Sequence, residues 1–202
     1  DYAVVNLESP IGGQPYTGYP CFSAPDEFPI ALQNAGFDLF LTANNHCLDR
    51  YTRGAIRTLH ILDSIGADHI GTYDSKDSFE RFYPFITSIK GIRIAFLNYT
   101  YGTNGFTPHS PLIVNYIDEE KIKKDIFRAK TLSADLIVAC LHWGDEYQLL
   151  PNKRQEDLAD FLAKEGVQLI IGAHPHVIQP MELRYDEQGN PCALIVYSLG
   201  NF

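Results

Sequence analysis

A mixed α/β domain with more than one sheet is the fold class that the sequence predicts, and three observations predict it. Short apolar runs of strand type alternate with amphipathic helical segments in the first and third quarters of the chain, which implies α/β units. Two pairs of strand-like runs are joined by short turn signals, Lys90-Gly91 and Glu187-Gln188-Gly189-Asn190, which adds antiparallel hairpins. The chain has 202 residues, 45% of them apolar and 20% charged, the composition of a sizeable globular domain with a real core. No internal repeat, low-complexity tract or long linker divides it, so residues 1–202 read as one domain.

In chain order, Tyr2 to Leu7 is a strand, and Asp26 to Ala35 a short helix with Pro29 in its first turn and Gly36 as its stop. Asp38 to Thr42 is a strand. Thr52 to Ile65 is a helix whose Ala55, Ile56, Leu59 and Leu62 share a face, with Gly66 after it. Phe82 to Ile89 and Ile92 to Leu97 form the first hairpin, and Ile113 to Ile117 is a short strand. Asp118 to Leu132 is an amphipathic helix with Ile122 and Ile126 on its apolar face. Leu136 to Leu141 is a buried strand, and Lys153 to Glu165 a helix with Leu158, Phe161 and Leu162 inward and Gly166 at its end. Gln168 to Ile171 is a strand. Val177 to Tyr185 and Cys192 to Tyr197 form the second hairpin.

Composition excludes several classes. The formal net charge of −9 argues against nucleic acid or an anionic membrane surface as partner, although a metal reverses the local sign for an anionic substrate. No segment approaches the roughly 20 apolar residues of a membrane span. The four cysteines, Cys21, Cys47, Cys140 and Cys192, are widely spaced and give no zinc-ribbon or disulfide framework, which leaves the redox compartment open. The chain opens at Asp1 without a methionine and stops at Phe202 directly after a strand, so both ends read as cut from a longer protein.

In open α/β sheets ligands sit beyond the carboxyl ends of the strands. There the chain carries Asn6-Leu7-Glu8, Thr42-Ala43-Asn44-Asn45-His46, His142-Trp143-Gly144, Gly172-Ala173-His174-Pro175-His176 and Ser198-Leu199-Gly200-Asn201. Histidine, amide oxygen and carboxylate suit Zn²⁺, Mn²⁺ or Fe, and without cysteine they do not make a structural zinc site. His174 and His176, spaced i, i+2 on extended backbone, share a side. Pro175 disfavours helix before it, and Gly172 frees the backbone to leave its strand. Each residue also has a plainer reading. Glu8 serves equally as a strand-end acid, Asn44 and Asn45 as turn formers, His46 as a helix cap, and Asp145-Glu146 as a solvated acidic turn. His60, His69 and His109 read as structural, in a helix, a short strand and a Pro-rich loop. Asn98-Tyr99-Thr100 matches a glycosylation sequon of a kind that chance often supplies. In the loop from Asn98 to Gly105, Tyr99 or Tyr101 lines a cleft or, more plainly, packs locally.

These five motifs, in this order, resemble the bacterial capsule synthesis family of CapA type, which is linked to poly-γ-glutamate capsule production and is similar to the calcineurin-like metallophosphoesterases. The resemblance implies a four-layer αββα sandwich of two mixed sheets with flanking helices. It implies Asn45 as a metal ligand, His46 as the group that meets the leaving group, His142 and His174 as ligands of a second metal, and His176 as a ligand of a first. Glu8 stands roughly where those enzymes place a bridging aspartate, and it joins His46 as a catalytic candidate. The chain begins after the family's first-strand motif, so the second metal position is the more complete. Asn6, Asn44, Glu146, Tyr99 and Asn201 are the candidates for substrate contact. The implied cofactor is one or two divalent ions (Mn, Zn, Fe or Mg). The implied partners are an anionic polymer or phosphoester substrate and other capsule-machinery proteins, at the cell envelope or outside the cytoplasm. Three readings stay open: a metal-dependent hydrolase, a non-catalytic component that binds polymer or partner proteins, and a fold-competent fragment with an incomplete site.

Overall fold

The computed structural model describes residues 2–201; Asp1, which opens the chain, and Phe202, which closes the last motif, lie outside the described residues. Along the chain run β1 (Val4–Asn6), α1 (Glu27–Asn34), β2 (Leu39–Leu41), α2 (Tyr51–Ser64), β3 (Asp68–Ile70), β4 (Thr72–Tyr73), α3 (Lys76–Phe82), β5 (Phe85–Ile89), β6 (Ile92–Thr100), β7 (Ile113–Val114), α4 (Glu119–Thr131), β8 (Leu136–His142), α5 (Lys153–Lys164), β9 (Leu169–Ala173), β10 (Met181–Tyr185) and β11 (Pro191–Val196). The chain divides into two compact units, Asp1–Tyr83 with Asn98–Tyr116, and Pro84–Leu97 with Ile117–Phe202.

The first unit holds a parallel sheet in the order β1-β2-β3, with Val5 opposite Phe40 and Phe40 opposite His69. Parallel neighbours need a crossover, and α1 and α2 supply the two. α2 buries one stripe, Ala55, Thr58, Leu59 and Leu62, as its 3.6-residue period requires. Leu62 packs with Leu7, Phe40 and Ala67, while Ala55 and Leu59 pack with Cys47, Leu48, Leu112 and Val114. β4 and β7 pair antiparallel, Thr72 opposite Val114. The segment between β1 and α1 is fastened to α2 by Arg57. Its guanidinium donates to both carboxylate oxygens of Asp26, at 2.7 and 2.8 Å, and to the Ile11 carbonyl at 2.8 Å.

The second unit is a six-stranded sheet in the order β10-β11-β9-β8-β6-β5. Its centre is parallel, β8 with β9 and β9 with β11, and antiparallel hairpins β5–β6 and β10–β11 close its margins. β8 is buried from Ile137 to His142, the near-continuous apolar run expected of a strand covered on both faces. The β5–β6 turn places Lys90 and Gly91 at φ of 50° and 86°, the paired left-handed residues of a tight hairpin. α4 is capped by Asp118, which accepts from the Lys121 N–H. α5 is capped by Asn152 and Gln155, each side chain bonded to the other's backbone N–H. β6 runs through both units, Ile92–Leu97 in the second and Asn98–Thr100 in the first.

The expected mixed α/β class with several sheets is present, with five helices among the described residues. Several boundaries differ. The strand expected over Phe82 to Ile89 begins at Phe85, because residues 76–82 form α3. Ser75 caps that helix in a reciprocal box with Ser78, and Phe79 stacks on Tyr83 with ring centroids 5.3 Å apart. β1 is shorter than Tyr2 to Leu7, and β10 begins at Met181 rather than Val177. No described helix is long and apolar enough to cross a membrane.

The Arg57 fork predicts a pH effect. Hydrogen bonding from Arg57 holds the Asp26 carboxyl below the usual carboxylate range. A depressed folded pKa stabilises above the unfolded pKa, and that contribution disappears as pH falls through the folded value. Asp26→Asn should therefore lower the melting temperature by about 1–4 °C at pH 7, the range of a half-exposed ion pair. The deficit should shrink as the pH drops below about 3.9, the ordinary aspartate value. Thermal melts of both proteins across that range check it.

Candidate functional site

In the first unit the chain leaves β2 through Thr42 and Ala43 and coils through turns from Asn45 to Arg50 into α2. The exit is fixed by buried polar bonds. Thr42 Oγ1 donates to the Ile70 carbonyl at 2.8 Å, and the Ala43 N–H donates to Asn98 Oδ1 at 2.9 Å. Asn44 is fully buried: its Nδ2 donates to the Leu7 carbonyl at 2.9 Å, and its Oδ1 accepts from the His46 N–H at 3.1 Å. Asn6 Nδ2 donates to Glu8 Oε2 at 2.9 Å. Beyond Asn44, His46 Nδ1 lies 2.7 Å from Asp49 Oδ2, with both residues buried. An ionised carboxylate only accepts, so Nδ1 carries the proton and Nε2 is the atom for proton exchange. The same Asp49 oxygen accepts from the Phe22 N–H at 2.8 Å, and the Phe22 ring meets the His46 ring edge-on at 4.6 Å. Asn104 stands beside them, its Oδ1 accepting from Asn45 Nδ2 at 3.3 Å and its Nδ2 lying 3.4 Å from His46 Nδ1.

In the second unit three adjacent parallel strands end together. His142 closes β8, Gly172 and Ala173 close β9, and Tyr197 follows β11. Trp143 reaches across β9: its Nε1–H donates to the Tyr197 carbonyl at 2.9 Å, and its ring stacks on the Tyr197 ring at 6.0 Å. A Cβ at Gly172 would stand 1.9 Å from that carbonyl oxygen and 2.3 Å from the indole nitrogen. Glycine is here a requirement of close approach. It is not the flexible exit that its sequence position suggested, because Gly172 lies inside β9.

The buried His142 and His174 rings are 4.9 Å apart, and the His174 and His176 rings 6.0 Å apart. Side-chain ligand atoms of Glu146, His174 and His176 all lie within 4.8 Å of one another. His176 Nδ1 is 2.8 Å from Asn201 Oδ1. The amide oxygen fixes the proton on Nδ1, which leaves Nε2 as the unprotonated ring nitrogen.

The loop that carries Glu146 is tied down from three sides. Asn152 Nδ2 donates to Asp145 at 2.6 Å, the Tyr147 N–H donates to the Pro175 carbonyl at 2.8 Å, and the Tyr147 ring lies 6.0 Å from the His176 ring. Gln179 Nε2 donates to the Gln148 and Leu150 carbonyls at 2.9 and 3.1 Å, while its Oε1 accepts from Gln155 Nε2 at 3.0 Å.

Several expectations are corrected by this geometry. The backbone through the histidine pair is not extended. φ is 99° at His174 and 57° at His176, so both lie in the left-handed region. Tyr99, expected at substrate, is fully buried edge-on against Tyr83 and presents no surface to a ligand. Asn44 is likewise consumed by backbone bonds. The Asn98 sequon is closed to modification, because Asn98 is buried and bonded to Ala43. Glu146 and Asn201, candidates for substrate contact, stand beside the histidines, Asn201 bonded to His176. Cys47 and Cys140 are buried, and burial pushes both thiols up to about 12, which removes them as nucleophiles.

Sequence reasoning passed over Asp49, Phe22, Asn104 and the Gln155–Gln179 pair. The only readable signal among them is the three-residue spacing of His46 and Asp49 at a helix entry, which puts both on one turn.

A mixed α/β chain with histidines gathered at its strand ends shares its fold with nucleotidases among the solved structures. An NAD nucleotidase of Haemophilus influenzae matches with TM-score 0.56 and 16% identity, over 83% of this chain and 35% of that one. A 5'-nucleotidase precursor from Thermus thermophilus matches with TM-score 0.55 and 15% identity, over 84% of this chain and 34% of that one. At such identities the likeness is one of fold. The family described as bacterial capsule synthesis protein PGA_cap matches residues 1–202, and the chain belongs to it. It is 32% identical over 218 residues to the capsule biosynthesis protein CapA of Bacillus anthracis, covering 100% of this chain and 50% of that protein. It is 31% identical over 188 residues to the PGA biosynthesis protein CapA of Bacillus subtilis (strain 168), covering 85% of this chain and 43% of that protein. The chain thus spans about half the length of the curated relatives it matches.

The Gly172 contact yields a stability prediction. Gly172→Ala forces a methyl group between the Trp143 indole and the Tyr197 carbonyl. It should cost about 2–3 kcal/mol, the upper range for overpacking a filled core. Urea unfolding of the two proteins measures it, and a loss under about 0.5 kcal/mol, the scale of ordinary surface substitutions, would contradict the contact.

Proposed function

We propose that the protein is a metal-dependent hydrolase of capsule synthesis, acting on a phosphoester or on the poly-γ-glutamate polymer itself. The observation that carries this reading is the Glu146–His174–His176 cluster. One carboxylate and two imidazoles converge within 4.8 Å, on backbone held in the left-handed region at both histidines. Strained backbone of this kind costs of order 1–3 kcal/mol per residue and concentrates at functional sites. The donor set fits a divalent ion such as Mn²⁺, Zn²⁺ or Fe²⁺, and Asn201 supplies the outer bond that a ligating His176 requires.

His174, His176 and Glu146 would hold the ion, with the His142 ring beside His174. The family resemblance separately implies Glu8 and Asn45, in the first unit, as metal ligands. When bound, the ion supplies Lewis-acid polarisation of a substrate oxygen and an acidified water. It also offsets the −9 charge of the chain for an anionic substrate. His46 is the general acid. Asp49 holds the proton on Nδ1 and stabilises the charged ring, and Nε2 exchanges a proton with the leaving group. Phe22 closes one side of that ring and keeps the pair in register.

The test is titration calorimetry with Mn²⁺, together with turnover of p-nitrophenyl phosphate and of poly-γ-glutamate. The parent should bind Mn²⁺, and His174→Ala should weaken binding by at least about 100-fold. Asp49→Asn should leave binding intact and lower turnover by about 10²–10⁴, the contribution of an oriented acid. Equal Mn²⁺ affinity in the parent and His174→Ala would overturn the metal reading. Tight Mn²⁺ binding without turnover of either substrate would overturn the hydrolase and leave a binding component of the capsule machinery.

A further inference from the structure

We infer that Asn104 is a positioning residue within the first unit: it fixes the orientation of the Asn45 amide and packs against the edge of the His46 ring. The inference rests on the reading of Asn45 as a metal ligand given above.

Thr103-Asn104-Gly105-Phe106 is a tight turn closed by the Phe106 N–H on the Thr103 carbonyl at 2.9 Å, with φ of 49° at Asn104 and 81° at Gly105. Two successive left-handed residues define the type I′ geometry that Asn-Gly favours. The turn is rigidly mounted. Thr103 is buried, and its hydroxyl donates to the Phe106 carbonyl at 2.6 Å and lies 3.0 Å from the Tyr116 hydroxyl. Phe106 packs against the cluster around Leu48 and Leu59 and meets Tyr51 edge-on at 5.3 Å. A firm mount therefore carries an exposed asparagine whose amide also bonds to a neighbouring segment. The Asn104 Oδ1 takes the Asn45 Nδ2–H at 3.3 Å. An amide ligates a cation through oxygen and never through its NH₂ group. By holding that nitrogen, Asn104 decides which end of Asn45 faces it. Its own nitrogen lies 3.4 Å from His46 Nδ1, whose proton goes to Asp49, so this second contact packs the ring and does not compete for the proton.

The plain alternative is that Asn104 is present only because the turn wants a left-handed residue. Glycine separates the two, because it accepts φ of 49° without strain and removes the amide. Asn104→Gly should keep the melting temperature within about 2 °C of the parent, since Gly-Gly also makes this turn. It should weaken Mn²⁺ binding by about 10-fold or more, the usual effect of removing an outer partner of a ligand. Asn104→Asp retains the oxygen that accepts from Asn45 and should restore affinity to within about 3-fold of the parent or tighter. Calorimetric titration of the whole protein with Mn²⁺, alongside Asn45→Ala, gives the answer. If Asn45→Ala abolishes binding while Asn104→Gly binds like the parent, the role of Asn104 is overturned and the metal reading stands. If Asn45→Ala itself binds like the parent, Asn45 is no ligand and the role assigned to Asn104 falls with it.

Discussion

The hydrogen bond from the Trp143 indole to the Tyr197 carbonyl, laid across Gly172, is the contact on which the second unit's histidine cluster depends. It ties the ends of β8 and β11 over the strand between them. A buried indole N–H without a partner would be costly, so the bond also selects the rotamer of Trp143, the residue after His142. The Trp143 N–H bonds the Ala173 carbonyl at 3.1 Å, and the Leu199 N–H bonds the Gly172 carbonyl at 3.3 Å. The strand termini are thereby matched in height. His142 and His174 meet as neighbours because their strands end at the same level, not because the two residues attract.

The local cost of the arrangement is carried by the backbone. His174, His176 and Tyr147 all sit at positive φ, where a side chain is crowded. Two of them are held there by bonds from outside their own segment, Tyr147 through the Pro175 carbonyl and His176 through Asn201. In the first unit the turn that carries Asn104 is closed by the buried Thr103 hydroxyl on the Phe106 carbonyl. Over-determination of this kind lets imidazole and amide groups stand ready without refolding when a ligand arrives.

Much of this was legible in the sequence. Continuous apolar runs mark β2, β8 and β9, and the rule that ligands gather beyond strand ends brings His46, His142, His174 and His176 into view together. What stayed hidden was decided by tertiary contacts. His-Pro-His reads as extended because proline disfavours helix before it, yet the bond from Tyr147 draws the segment into the left-handed region. Residues Phe79, Phe82 and Tyr83 have strand-like composition, and the Ser75–Ser78 box makes a helix of most of that segment. Tyr99 looked like a cleft residue because the segment from Asn98 to Gly105 is rich in aromatic and amide groups and follows a strand, but β6 continues through Thr100 and buries it. Asp49 was one acid before a basic residue until the turn set it against His46.

The fastening of the Glu146 loop has a physical character of its own. Gln155 and Gln179 are both buried, and their amides hold residues 148–150 through bonds among uncharged groups. Screening by salt weakens ion pairs and leaves such bonds almost untouched, and no proton joins or leaves an amide in the ordinary pH range. On the side of residues 148–150 the loop is therefore anchored by polar contacts that neither salt nor pH modulates, while the Asp145 end rests on a carboxylate.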